Sequence, residues 1–169
     1  EQTKQYLPLL KGKRVALMSN HTGIVIQGQD TIHTLDLLLK PGVNVTAIFS
    51  PEHGFRGTAR EGEHVASSVD EKTGIPILSL YDGKSYRPSK EAMDTFDVLI
   101  TDIQDVGLRF YTYYITMFRL MDACAHEGKQ FIVFDRPNPN GYYVDGPILD
   151  MKHKSGVGAL PIPVVHGMT

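Results

Sequence analysis

The stretch "DVLITDIQDVGLRFYTYYITMFRLMDACAHEGKQFIVFDR" at residues 97–136 decides the fold. It opens with DVLITDI (97–103) and closes with FIVFDR (131–136), two short apolar runs rich in β-branched residues. Neither run alternates apolar with polar, so each reads as a strand buried on both faces, as in a parallel sheet. Between them YTYYITMFRLMDACAHEG (111–128) is a long apolar helical pattern closed by Gly128. Strand, helix and strand in this order predict a βαβ unit with a right-handed crossover.

The same signal repeats outward from that unit. RVALMSN (14–20), NVTAIFS (44–50) and IPILSL (75–80) read as further buried strands. Helical patterns lie between them: TIHTLDLLLK (31–40), which stops at Pro41-Gly42, and SKEAMDTF (89–96), with Ser89 as a cap. The expected architecture is a Rossmann-like, doubly wound α/β domain, its mainly parallel sheet covered by helices on both faces. At 169 residues and 41% hydrophobic content the chain suits one globular domain with a core of its own.

A formal net charge of -2 gives no basic field to gather nucleic acid, which leaves a small molecule, a glycan or a protein as the expected partner. The single cysteine, Cys124, sits inside the long helical pattern and excludes a disulfide within the chain. No window reaches the roughly 18 consecutive apolar residues of a spanning helix. The first residues, EQTKQYLPLL, show no signal-peptide pattern, although a chain that begins at Glu1 is compatible with a processed protein.

In a doubly wound fold, ligands bind beyond the carboxyl ends of the strands. Four polar clusters are expected there: Asn20-His21-Thr22-Gly23, the glycine-punctuated loop IFSPEHGFRGTAREGEHV (48–65), Asp102 to Arg109, and Asp135-Arg136-Pro137-Asn138. Each also has a purely architectural reading. Asn20 to Thr22 can be a turn with a helix cap, Asp102 can hold a loop, and Asp135-Arg136 can be an internal ion pair. Glu52 stands apart, because it follows a strand directly, Pro51 restricts the backbone before it, and Gly54 and Gly57 leave room for a ligand.

The turn after the first strand, SNHTGIVIQG (19–28), has no GxGxxG, so no dinucleotide cofactor is expected. Walker A, HExxH and GxSxG motifs are missing as well, and no cofactor is assigned. What remains is carboxylates beside histidine and arginine. Glycoside hydrolysis needs an acid to protonate the leaving oxygen and a second group to stabilise or attack the oxocarbenium-like centre. Glu52 fits the first part, and Asp102 or Asp105 the second. Arg56, Arg109 and Arg136 suit bidentate recognition of a substrate carboxylate. Tyr111 and Tyr113 offer hydroxyls or a stacking face, or pack in the core.

KGKRVALMSNHTG (11–23), FSPEHGFRG (49–57), TDIQDVGLRFYTY (101–113), FDRPNPNG (134–141), GPILD (146–150) and PIPVVHGMT (161–169), in this order and spacing, resemble the NamZ-type exo-β-N-acetylmuramidases. The likeness runs from about Lys11 to Thr169. It implies a Rossmann-like N-terminal catalytic domain and an enzyme that removes N-acetylmuramic acid from non-reducing ends of peptidoglycan fragments. It further implies a periplasmic or extracellular setting and a second, C-terminal domain, outside this chain, that forms the other wall of the cleft. By the resemblance Glu52 is the catalytic acid, and His21, Asp102, Arg109, Tyr111 and His166 line the site. The reading of the residues themselves adds Asp102 as the candidate second catalytic group and Asn20, His53, Arg56, Asp105, Arg136 and Asn138 as candidate substrate-binding residues. The lactyl carboxylate of N-acetylmuramic acid is an anion the arginines could hold. Two other readings compete: a metal-dependent hydrolase built on His21, His53, Asp102 and Asp135, and a glycan-binding module without turnover.

Overall fold

The computed structural model describes residues 2–51, 55, 68–80 and 87–168. Helix α1 (Thr3–Leu10) leads into β1 (Arg14–Ser19), then a hairpin of β2 (Ile24–Gln27) and β3 (Asp30–His33), α2 (Thr34–Leu39) and β4 (Asn44–Ser50). They are followed by β5 (Ser68–Val69), β6 (Pro76–Ser79), α3 (Lys90–Met93), β7 (Val98–Asp102), α4 (Tyr113–His126) and β8 (Gln130–Val133). Six of the strands form one sheet in the order β5-β6-β4-β1-β7-β8. Its pairings are parallel except for β5 with β6. The expected Rossmann-like α/β architecture is the one observed.

The continuous apolar runs are explained by a core on each side of the sheet. Val15 and Leu17 of β1 point toward α1 and α2, where they meet Leu10, Leu35 and Leu38. Their neighbours Ala16 and Met18 point the other way, into a second core with Met93, Leu120 and Cys124 of α3 and α4. Val15 to Ser19 are all buried, so none of these five positions tolerates a charge. Full burial of a leucine side chain contributes about 1.5–3 kcal/mol relative to exposure. Burial also pushes the Cys124 thiol up to about 11.

From β1 the chain steps to β4 and β6 on one side, and later to β7 and β8 on the other. The strand order therefore reverses between β1 and β7, where an open α/β sheet has its binding crevice. Two expectations need correction. The helix placed at 31–40 begins at Thr34, because Asp30–His33 pairs antiparallel with Ile24–Gln27 across a turn at Gly28 with φ of 65°. His33 closes that strand with extended backbone, and its Nδ1 accepts from the Leu35 N–H at 3.1 Å, capping α2. The helix placed at 111–128 starts at Tyr113, so Tyr111 stands in the loop that approaches it. Among the described residues no helix is long and apolar enough to cross a membrane.

Candidate active site

The β1–β7 crevice is closed by short polar contacts. Ser19 Oγ donates to the Asp102 carbonyl at 2.7 Å, joining the two strand ends. The chain then turns over this junction. Asn20, fully buried, accepts at Oδ1 from the Thr22 N–H (2.9 Å) and the Thr22 hydroxyl (2.6 Å). Thr22 Oγ1 accepts in turn from the Gln104 N–H at 3.0 Å. Gly23 is packed so closely here that a Cβ would lie 2.1 Å from Ser19 Oγ. Asn20 thus fills the turn-holding role, while the neighbouring His21 is exposed. His33 supports the same turn: its Nδ1 is already an acceptor, so the neutral ring carries its proton on Nε2, 2.8 Å from the Asn20 carbonyl.

Asp102 ends β7 at 2% exposure, beneath Arg136. Arg136 Nε donates to Oδ1 at 2.6 Å and Nη2 to Oδ2 at 3.1 Å, a two-pronged pair. The Thr34 hydroxyl also donates to Oδ2. Nη2 of Arg136 further donates to the Ile24 carbonyl at 3.0 Å, so one guanidinium ties β7, the end of β8 and the hairpin together. Arg136 takes Asp102 as its partner in place of the adjacent Asp135, which is exposed. Tyr6, from α1, lies near this pair; its phenol is pushed above its usual range, first by burial and then by the Asp102 charge. A cavity of about 680 Å³ opens on this side of the sheet, with Tyr6, Thr34, Asp102 and Arg136 in its lining.

A second cavity, of about 240 Å³, opens on the α4 side. Asp105, Asn138 and His166 line it, and Arg136 borders both cavities. Asp105 Oδ1 accepts from the N–H groups of Val106 (2.7 Å) and Gly107 (2.9 Å), which fixes the side chain in the loop. Gly107, at φ of 75°, passes directly under Asn138, where a Cβ would come within 2.2 Å of the amide oxygen. Asn138 holds the turn after it, accepting from the Asn140 N–H at 2.8 Å, and donates to the Met168 carbonyl.

Arg109 and Tyr111 sit differently from this group. Arg109 Nη1 donates to the carbonyls of Pro147 and Ile162, each at 2.7 Å, and so clasps the irregular segment that follows residue 140. Tyr111 packs edge-on against Tyr113 with ring centroids 4.8 Å apart. Glu52, His53 and Arg56 lie outside the described residues. The positions flanking Glu52 and His53 are defined: Pro51 is buried at the end of β4, and Phe55 is buried beside His33, ring centroids 5.0 Å apart. Among the described residues no three His, Cys, Asp or Glu side chains gather in a metal-binding group. Thr34, His33 and the Ile24 carbonyl are parts of the site that sequence reasoning missed. Of these, His33 carried a signal, a polar residue just ahead of an apolar helical run.

Fold and site together define a Rossmann-like α/β domain whose polar residues gather where the strand order reverses, with carboxylates and arginine in place of a phosphate-binding glycine loop. The chain belongs to the family described as "Exo-beta-N-acetylmuramidase NamZ, N-terminal", whose model matches residues 15–169. It is 47% identical over 166 residues to the peptidoglycan β-N-acetylmuramidase NamZ of Bacillus subtilis (strain 168), covering 97% of this chain and 39% of that protein. Two crystal structures of DUF1343 family proteins from Bacteroides fragilis NCTC 9343 are also similar. One shares 61% identity at a TM-score of 0.84, over 99% of this chain and 42% of that one. The other shares 40% identity at a TM-score of 0.86, over 98% and 41%. The chain spans about two fifths of the length of these relatives.

Proposed function

We propose that the full-length protein is a glycosidase that removes N-acetylmuramic acid from the non-reducing ends of peptidoglycan fragments. The observation that carries this reading is the 47% identity, across 97% of the chain, to a peptidoglycan β-N-acetylmuramidase. The fold agrees with it, since the polar clusters gather at the sheet edge where an α/β protein binds its ligand. Wall fragments are met in the periplasm or outside the cell, where the protein would serve turnover or scavenging of wall sugars.

In this mechanism Glu52, which follows the β4 segment in the sequence, is the proton donor to the leaving oxygen. Asp102, with both oxygens engaged by Arg136 and Thr34, holds the guanidinium in place beside the sugar. Arg136, whose side chain keeps 21% exposure, is then the best placed of the described arginines to meet the lactyl carboxylate. Among the described residues, Asp105 keeps one buried carboxylate oxygen, Oδ2, without a hydrogen-bond partner.

The test is release of a chromogenic aglycone by the full-length protein from a β-N-acetylmuraminide, with the matching β-N-acetylglucosaminide as control. The muraminide alone is expected to be cleaved, and Glu52→Gln to lower kcat by about 10²–10⁴-fold, the span that general acid catalysis supplies. Cleavage by the Gln variant at the parent rate would remove Glu52 from the role of acid. A glycan-binding module would retain affinity and release no sugar from either substrate.

A further inference from the structure

The proposed proton transfer leaves the α4-side cavity without a task. Four polar atoms of residues in its lining are buried and find no hydrogen-bond partner among the described residues: two are the hydroxyls of Thr101 and Tyr114, and the other two form a pair of opposite kind, Asp105 Oδ2 and His166 Nε2. Their chemistry is complementary. Asp105 commits Oδ1 to two backbone N–H groups, so Oδ2 remains a fixed acceptor. His166 Nδ1 accepts from the Met168 N–H at 3.2 Å, which places the neutral ring's proton on Nε2 and makes that atom a donor. The two segments are bonded to each other, the His166 N–H donating to the Gly107 carbonyl at 3.3 Å.

Leaving a buried polar group unpaired is costly, so a preformed donor and acceptor in one cavity select a guest that pairs with both. A secondary amide is such a guest: its N–H meets the carboxylate and its carbonyl meets the imidazole N–H. The cavity lining also includes the apolar side chains of Met117, Phe118 and Leu160, which suit a methyl group. We propose that this cavity is the subsite for the 2-acetamido group of the sugar, with Asp105 and His166 as its specificity-determining residues. The proposal rests on the muramidase reading for the identity of the sugar.

The test is calorimetric titration of the full-length protein with N-acetylmuramic acid and with the 3-O-lactyl ether of glucose, which has a hydroxyl in place of the acetamido group. The parent is expected to prefer the N-acetyl sugar by about tenfold or more, one lost hydrogen bond to a charged partner being worth that much. Asp105→Asn keeps the Oδ1 acceptor that holds the loop and turns Oδ2 into a donor. It is expected to bring the preference to within about threefold while the lactyl ether binds as before. His166→Phe is expected to do the same. Should that variant misfold, as judged by near-UV circular dichroism, Asp105→Asn decides alone. A parent with no preference, or an Asp105→Asn variant that keeps it, overturns the subsite and leaves the pair as the seat of a buried water. If the preference behaves as expected and no muraminide is cleaved, the subsite stands and the hydrolase reading falls. If the muraminide is cleaved and Asp105→Asn keeps the preference, the subsite alone falls.

Discussion

Arg136 and Asp102 show how one pair of residues decides what a site can do. A carboxylate at 2% exposure has lost nearly all its hydration, and the two-pronged guanidinium with the Thr34 hydroxyl replaces it. Removing the cation alone leaves an uncompensated buried charge. Arg136→Met is therefore expected to lower unfolding free energy by about 3–5 kcal/mol, whereas the double change Arg136→Met with Asp102→Leu recovers much of that loss. Urea denaturation of the four proteins in the cycle measures it. A double variant destabilised by the sum of the two single losses would mean that the pair contributes no coupling. The sequence showed a carboxylate at the end of one strand and an arginine just past the end of the next. Their pairing across 34 positions was not legible, because Asp135 beside Arg136 offers a nearer partner on paper. Direction decides it, since Asp102 turns inward at the end of a buried strand while Asp135 is exposed.

At the scale of elements, the five strands expected from continuous apolar runs are all present. Burial on both faces of a parallel sheet is a constraint that composition alone can express. Helix α1 and the β2–β3 hairpin were missed. The first is eight residues long with Pro8 inside, too short for a periodic signal, and the second is stabilised by its turn at Gly28 and by docking beneath Arg136. The start of β1 is fastened to the start of β7 by Arg14, which donates from Nη2 to Asp97 Oδ1 at 2.7 Å and from its backbone N–H to Oδ2 at 2.9 Å. These bonds from Arg14 hold the Asp97 carboxyl at about 2, below its ordinary 3.8. A depressed carboxyl stabilises the fold in full above its unfolded value and withdraws that support as pH falls through the folded one. The stability difference between the parent and Asp97→Asn should thus be flat above about pH 4 and shrink between about pH 4 and pH 2. Both groups are substantially exposed, so the difference is expected to be small and to weaken with salt. A difference independent of pH over that window would show that Arg14 does not hold the charge.

Across the whole molecule, the site is positioned by a sheet with an independent core on each face. The consequence is mechanical. Leu17 of β1 is buried toward α1 and α2, while Leu99 of β7 is buried toward α3 and α4. Yet the two strands are neighbours, with Ala16 opposite Leu99 and Leu17 opposite Ile100. A cavity opened in either core must be felt by both strands, and through them by the Ser19–Asp102 junction under the site. Leu17→Ala and Leu99→Ala are each expected to cost about 2–5 kcal/mol. The sharper expectation concerns where the loss appears. Hydrogen exchange of the full-length protein should show amide protection falling in β1 and β7 together for either variant, because neither strand can leave the sheet without exposing the other core. If Leu99→Ala loosened α3 and α4 while β1 and β4 kept their protection, the two faces would be separate folding units. The polar crevice would then rest on the α1–α2 face alone.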